Sequence, residues 1–144
     1  MLVQQILKTK SDDGVVTVTP TSTISDAAAI LSARKIGALV VSPDGKRVVG
    51  ILSERDIVRT LGQRGAAILT ESVESQMTSE IVSCSRNERS AEVLAKMTKG
   101  RFRHMPVLDG DQMVGLISIG DVVKAQLSEL SMEKEALESM IKGF

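Results

Sequence analysis

The feature that most constrains this chain is an internal repeat. The stretch Val48-Val49-Gly50-Ile51-Leu52-Ser53-Glu54-Arg55-Asp56-Ile57-Val58-Arg59 returns as Met113-Val114-Gly115-Leu116-Ile117-Ser118-Ile119-Gly120-Asp121-Val122-Val123-Lys124, so that Asp56 and Asp121 are 65 residues apart. Upstream, Ile36-Gly37-Ala38-Leu39-Val40-Val41 aligns with Phe102-Arg103-His104-Met105-Pro106-Val107 at an offset of 66. The slip of one residue falls where Ser42-Pro43-Asp44-Gly45 is matched by the shorter Leu108-Asp109-Gly110. Turns absorb deletions and strands do not. Two copies within 144 residues must pack on each other, because one copy alone is too short to bury an adequate core.

Each copy reads the same way. An extended segment (Val15 to Thr19; Ile81 to Ser85) leads through a polar turn into a helix. Its apolar residues recur at three- and four-residue spacing: Ala27, Ile30 and Leu31 in one copy, Val93, Leu94 and Met97 in the other. Ser25-Asp26 is the expected cap of the first of these helices. An aliphatic strand, a Pro-Asp-Gly or Asp-Gly turn and a second strand ending at Leu52 or Ile117 follow. A second helix opens at Ser53 or Ser118, residues of N-cap type. The expected fold class is α/β (α+β), a tandem of β-α-β-β-α units with a C-terminal helical extension. The expected division is 1–66 for the lead-in and first unit, 67–126 for the second, and 127–144 for the extension.

Residues 1–10 resemble the lead-in to the second copy, with Ile6-Leu7 matching Gln76-Met77. The helix opened at Ser118 is expected to run to about Ile141. Val123, Leu127, Leu130, Leu137 and Ile141 fall at alternating four- and three-residue steps, and Lys134 fills the one polar seam position. With Leu31, Leu61 and Val122, this stripe is expected to lie on faces that one pair of units leaves uncovered, which points to a homodimer.

Composition removes several function classes. Lys plus Arg and Asp plus Glu are both 18, a net charge of zero, whereas binders of nucleic acid or of membrane surfaces carry a basic excess. The aromatics are Phe102 and Phe144 alone, too few to stack single-stranded bases. One Cys permits no intrachain disulfide, and one His leaves little for a transition-metal site. No apolar run approaches the roughly 18 residues of a membrane span, and the first residues lack the pattern of a signal peptide. A cytoplasmic protein without nucleic-acid or membrane partners is expected. Neither a P-loop, a Gly-x-Gly-x-x-Gly turn nor a Gly-x-Ser-x-Gly elbow occurs, and no set of activated groups can be assembled, so no catalytic residues are expected.

A tandem β-α-β-β-α repeat whose last strand ends in Gly-hydrophobic-hydrophobic-Ser-x-x-Asp resembles the CBS domain, named for cystathionine β-synthase. The resemblance covers residues 15–125 and is that of a stand-alone pair, one Bateman-type module. It implies packing about a pseudo-twofold axis with two equivalent clefts, which commonly take adenosine-containing ligands: AMP, ADP, ATP, S-adenosylmethionine or dinucleotides of the NAD type. It also implies a regulatory role, with a ligand shifting conformation and an unknown regulated protein reading the shift. The alternative is a constitutive scaffold dimer with vestigial clefts; an enzyme acting on nucleotides ranks third.

The resemblance makes Asp56 and Asp121 the acids that receive the two ribose hydroxyls, since a carboxylate forms strong charge-assisted bonds; each also suits the N-terminal dipole of its helix. Ser53 and Ser118 cap those helices or meet the ligand. Ile36, Gly37 and Ala38, and in the second copy Phe102, Arg103 and His104, match the segment lining the adenine and phosphate pocket. The smaller trio is expected in one cleft and the larger, more cationic trio in the other. Val16 and Val18, with Val82 in the second copy, match the adenine-reading edge. Arg55, Arg101, Arg103 and His104 are phosphate candidates, with Lys35 and Lys99 near helix ends, and a guanidinium can hold phosphate with two bonds. Cys84, inside an expected strand, reads as a buried and inert thiol.

Overall fold

The computed structural model describes residues 1–10 and 14–143. The elements in chain order are α1 (Val3–Thr9), β1 (Thr17–Val18), α2 (Ile24–Arg34), β2 (Ala38–Val41), β3 (Gly50–Ser53), α3 (Glu54–Arg64), a 3-10 turn (Ala66–Thr70), α4 (Val73–Gln76), α5 (Ser90–Gly100), β4 (His104–Asp109), β5 (Gln112–Ser118) and α6 (Ile119–Lys142). The mixed α+β architecture and the C-terminal helix are as expected. Among the described residues, no helix is long and apolar enough to cross a membrane.

The first unit builds a three-stranded sheet in the order β1-β2-β3, with β1 parallel and β3 antiparallel to β2. The second unit pairs β4 and β5 antiparallel. Its expected opening strand, 81–85, is reduced to one parallel bridge between Cys84 and Val107. Proline explains the difference. In the first unit the Val40 N–H donates to the Val16 carbonyl and the Ser42 N–H to that of Val18. The residue matching Val40 is Pro106, which has no N–H to give. Only the Leu108 N–H to Cys84 bond, the counterpart of the second, remains on that side.

The turns follow their glycines: Gly45 and Gly110 have φ of 80° and 62°, the left-handed region these hairpins need. The first helix of each unit stops at a residue of the same hand, Lys35 (φ 54°) and Arg101 (φ 55°). Thr23, rather than Ser25-Asp26, caps α2, its hydroxyl accepting from the Asp26 N–H at 3.1 Å. Ser25 and Asp26 already lie inside the first turn, so they are too late to be the half-in residue a cap requires.

Two apolar clusters form the core, and their members correspond position by position. Val18, Ala27, Leu31, Leu39, Val41, Leu52 and Ile57 fill one; Cys84, Val93, Met97, Met105, Val107, Ile117 and Val122 fill the other. The two units are related by a pseudo-twofold axis. The lead-ins are exchanged: Val3 and Ile6 of α1 pack into the second cluster, while Ile68 and Val73 pack into the first. Leu7 lies against Gly115, and Met77 lies against Gly50 in the same relation. Leu31 and Val122, expected on uncovered faces, are instead buried, at 6% and 0% exposure. Leu61, Val123, Leu127, Leu130, Leu137 and Ile141 are exposed.

Candidate functional site

A cleft of about 600 Å³ lies between the units. One wall is 14–16 with Ile36, Gly37 and Ala38; the other is Val114, Gly115, Leu116, Ser118 and Asp121; Leu7, Lys8, Lys10 and His104 complete the lining. It gathers Val16, Ile36, Gly37, Ala38, His104, Ser118 and Asp121 from the expected positions.

The floor is small for a structural reason. A Cβ on Gly37 would stand 3.3 Å from His104 Cε1 and 3.7 Å from Glu54 Oε1. The expectation that Gly37-Ala38 and Arg103-His104 belong to different clefts is therefore corrected for His104, which enters the cleft of the smaller trio. The units meet near the ends of β2 and β4, so the imidazole projects across the boundary. Arg103 itself is exposed, and its carbonyl accepts from the Ile119 N–H at 2.8 Å, as that of Gly37 accepts from Glu54 at 2.9 Å.

The two acids sit in matching local structures. Ser118 Oγ accepts from the Asp121 N–H at 3.1 Å, while Asp121 Oδ2 accepts from the Ser118 N–H at 2.9 Å. Ser53 and Asp56 make the same reciprocal pair at 3.2 and 3.0 Å. These capping boxes satisfy two helix-end N–H groups each, so the serine caps expected from sequence are present. The surroundings of the acids then diverge. Arg59, on the same helix, binds Asp56 Oδ1 at 2.9 Å. Lys10, just past α1, binds Asp121 Oδ2 at 2.8 Å and the Leu116 carbonyl at 2.8 Å. Nothing in the repeat pattern marked Lys10, because its position depends on the lead-in crossing to the second unit.

Burial pushes the Asp121 carboxyl up, but the bonds from Lys10 and the Ser118 N–H outweigh it and hold the acid below its ordinary value. Burial and the Lys10 charge push the His104 imidazole down, against the opposing pull of Asp121 and Glu54. At neutral pH the cleft presents an ionised carboxylate and a neutral imidazole.

The other expected residues do not line this cleft. Ser53 and Asp56 lie at the start of α3 and Arg55 is exposed beside them. Val18 is buried in the first core. Val82 is 44% exposed, since Pro106 leaves its edge unpaired. Phe102 packs on the second core with Gly100 beneath its ring. These positions correspond by the pseudo-twofold to the first cleft, but there Ile51 exchanges both backbone bonds with Thr78 at 2.9 and 3.0 Å. That pairing covers the edge whose counterpart, at Leu116, accepts from the Lys10 ammonium. Cys84 is buried, and burial with the nearby Glu88 charge pushes its thiol up to about 11. It is an unreactive thiol at neutral pH. No group of three or more metal-ligating side chains occurs among the described residues.

The sequence model of the CBS domain matches residues 5–63 and 71–128. The chain is 33% identical over 141 residues to the mitochondrial CBS domain-containing protein CBSX3 of Arabidopsis thaliana, covering 94% of this chain and 68% of that protein. Its fold superposes on the CBS-domain containing protein ATU1752 of Agrobacterium tumefaciens with a TM-score of 0.82 and 46% identity, over 88% of this chain and 99% of that one. The CBS domain protein PAE2072 of Pyrobaculum aerophilum, solved in complex with AMP, gives a TM-score of 0.76 at 26% identity over 92% and 99% of the two chains. The CBS domain pair of protein MJ0100, in complex with methylthioadenosine and S-adenosylmethionine, gives 0.76 at 25% identity over 90% and 98%.

Proposed function

The chain belongs to the CBS-domain family, and from that premise we propose that it is a regulatory module whose inter-repeat cleft binds an adenosine-containing ligand. The carrying observation is the cleft itself, with Gly37 and Ala38 admitting a flat group and the Asp121 carboxylate standing at its far wall. The AMP complex of PAE2072 and the methylthioadenosine and S-adenosylmethionine complex of MJ0100 support this ligand class. AMP, ADP, ATP and NAD-type dinucleotides are the candidates.

Asp121 accepts from the ribose hydroxyls, for which its Oδ1 carries no hydrogen bond among the described residues. The backbone near Val16 reads the adenine, Ile36 packs on it, and Ser118 and His104 border the phosphate side. The pseudo-symmetric position at Ser53, Arg55, Asp56, Val82, Phe102 and Arg103, with Val18 behind it, is the second and lesser site, because Arg59 already holds the Asp56 oxygen that a ribose would need. Ligand binding favours one orientation of the two units, and a regulated protein reads that population shift. The module works as a homodimer through the exposed apolar stripe of α6, and its role is regulatory rather than catalytic.

Thermal melting with AMP, ATP, S-adenosylmethionine and NADH tests this reading. A ligand at a hundred times its Kd stabilises the native state by about 2.7 kcal/mol. At least one of the four raises Tm by several degrees in a saturable way. A flat response to all four would leave a constitutive scaffold dimer as the function.

A further inference from the structure

We infer that Lys10 selects phosphorylated over unphosphorylated ligands in the Asp121 cleft, by exchanging its bond to Asp121 for one to phosphate when a ribose arrives. The inference rests on the reading of this cleft as an adenosine site and adds the residue that discriminates within that class. Lys10 lies beyond the last turn of α1, yet its ammonium reaches the second unit, 2.8 Å from both Asp121 Oδ2 and the Leu116 carbonyl. Asp121 Oδ2 also accepts from the Ser118 N–H. An incoming ribose therefore meets a carboxylate with one oxygen doubly occupied, and its second hydroxyl competes directly with Lys10.

The released ammonium has somewhere to go. It is a compact charge with three donors on a flexible stem, and the Lys10–Asp121 pair forms the wall shared by the cleft and an adjoining cavity of about 490 Å³. Lys8 lines the first space, while Thr9, Lys124 and Ser128 line the second. Once ribose hydroxyls satisfy Asp121, the described lining of the junction holds Lys8, Lys10 and Lys124 and no second carboxylate, a setting that fits phosphate. The pseudo-symmetric cleft lacks the device. By the lead-in alignment, Glu80 stands where Lys10 does, and Asp56 is neutralised by Arg59 of its own helix.

Calorimetric titration of adenosine and of AMP into the parent, Lys10→Met and Lys10→Arg tests the exchange. The side chain of Lys10 is 37% exposed, so the substitutions spare the core. In Lys10→Met the preference for AMP over adenosine falls by about tenfold, the worth of one charge-assisted bond. Adenosine itself binds up to about fivefold tighter, because no ion pair has to be opened. Lys10→Arg restores the preference for AMP. If Lys10→Met weakens both ligands by the same factor, Lys10 is only a structural tie and the inference is overturned. If the parent binds neither ligand, the adenosine reading of the cleft falls, and the inference with it.

Discussion

Asp121 and His104 face one cleft and respond to acid in ways that can be separated. His104 is held below its ordinary 6.5 by burial and by the Lys10 charge, so the unfolded chain takes up its proton first. Its contribution is intact above about pH 6.5 and is lost as pH falls through the lowered value. Asp121, held below 3.8 by Lys10 and Ser118 against the effect of burial, loses its contribution only at still lower pH. Melting across pH 7 to 3 should show two successive declines. His104→Gln removes the upper one, and Asp121→Asn lessens the lower, to which Glu88 and Asp44, also held below their ordinary values, contribute; an upper decline that persists in His104→Gln contradicts the assignment. The Ser118–Asp121 pairing was legible because it recurs at Ser53–Asp56. Lys10 was not, since a single exposed lysine in a lead-in carries no periodic signal and gains its meaning only from a contact 111 residues along the chain.

At the scale of elements, the exchanged lead-ins depend on two glycines. A Cβ on Gly115 would stand 2.6 Å from Leu7 Cδ2, and Gly50 is covered by Met77 in the same manner. Gly115→Val overpacks this contact at a cost of about 1–3 kcal/mol. Chemical denaturation should show that loss, and hydrogen exchange should show faster opening of α1; adding Leu7→Ala recovers part of the stability. An unchanged midpoint in Gly115→Val would mean that α1 is not pinned over β5. The helices, hairpins and serine caps were readable from spacing and turn chemistry. The opening strand of the second unit was misread although the reason stands in the sequence: Pro106 occupies the position from which Val40 donates in the first unit. The crossing of α1 to the other unit left no trace beyond the likeness of Ile6-Leu7 to Gln76-Met77, because apolar pattern marks what is buried and not against which neighbour.

For the whole molecule, the pseudo-twofold relation extends from matched core residues to matched αL helix ends, yet the two clefts differ through Lys10, Glu80, His104 and Ala38. That difference is why one expected set of site residues converges while the other is dispersed. The outer face of α6 is the other feature at this scale: Leu127, Leu130 and Leu137, at the helical spacing of one stripe, are each about 60% exposed, and the proposed dimer would cover them. Leu130→Glu places charge in the middle of that stripe and should turn a dimer into a monomer in sedimentation velocity at micromolar concentration. A parent that already sediments as a monomer contradicts the dimer.

The most direct measurement is calorimetric titration of AMP and ATP into the parent and Asp121→Ala, with melting of both ligand-free proteins alongside. Hydrogen bonds to a charged group contribute about 1.5–3 kcal/mol, so the variant should bind about ten- to a hundredfold more weakly. Its ligand-free stability should fall only by the loss of a helix-end interaction, about 0.3–1 kcal/mol. Equal affinity in parent and variant would make Asp121 a capping residue alone and would contradict the assignment of this cleft as an adenosine site.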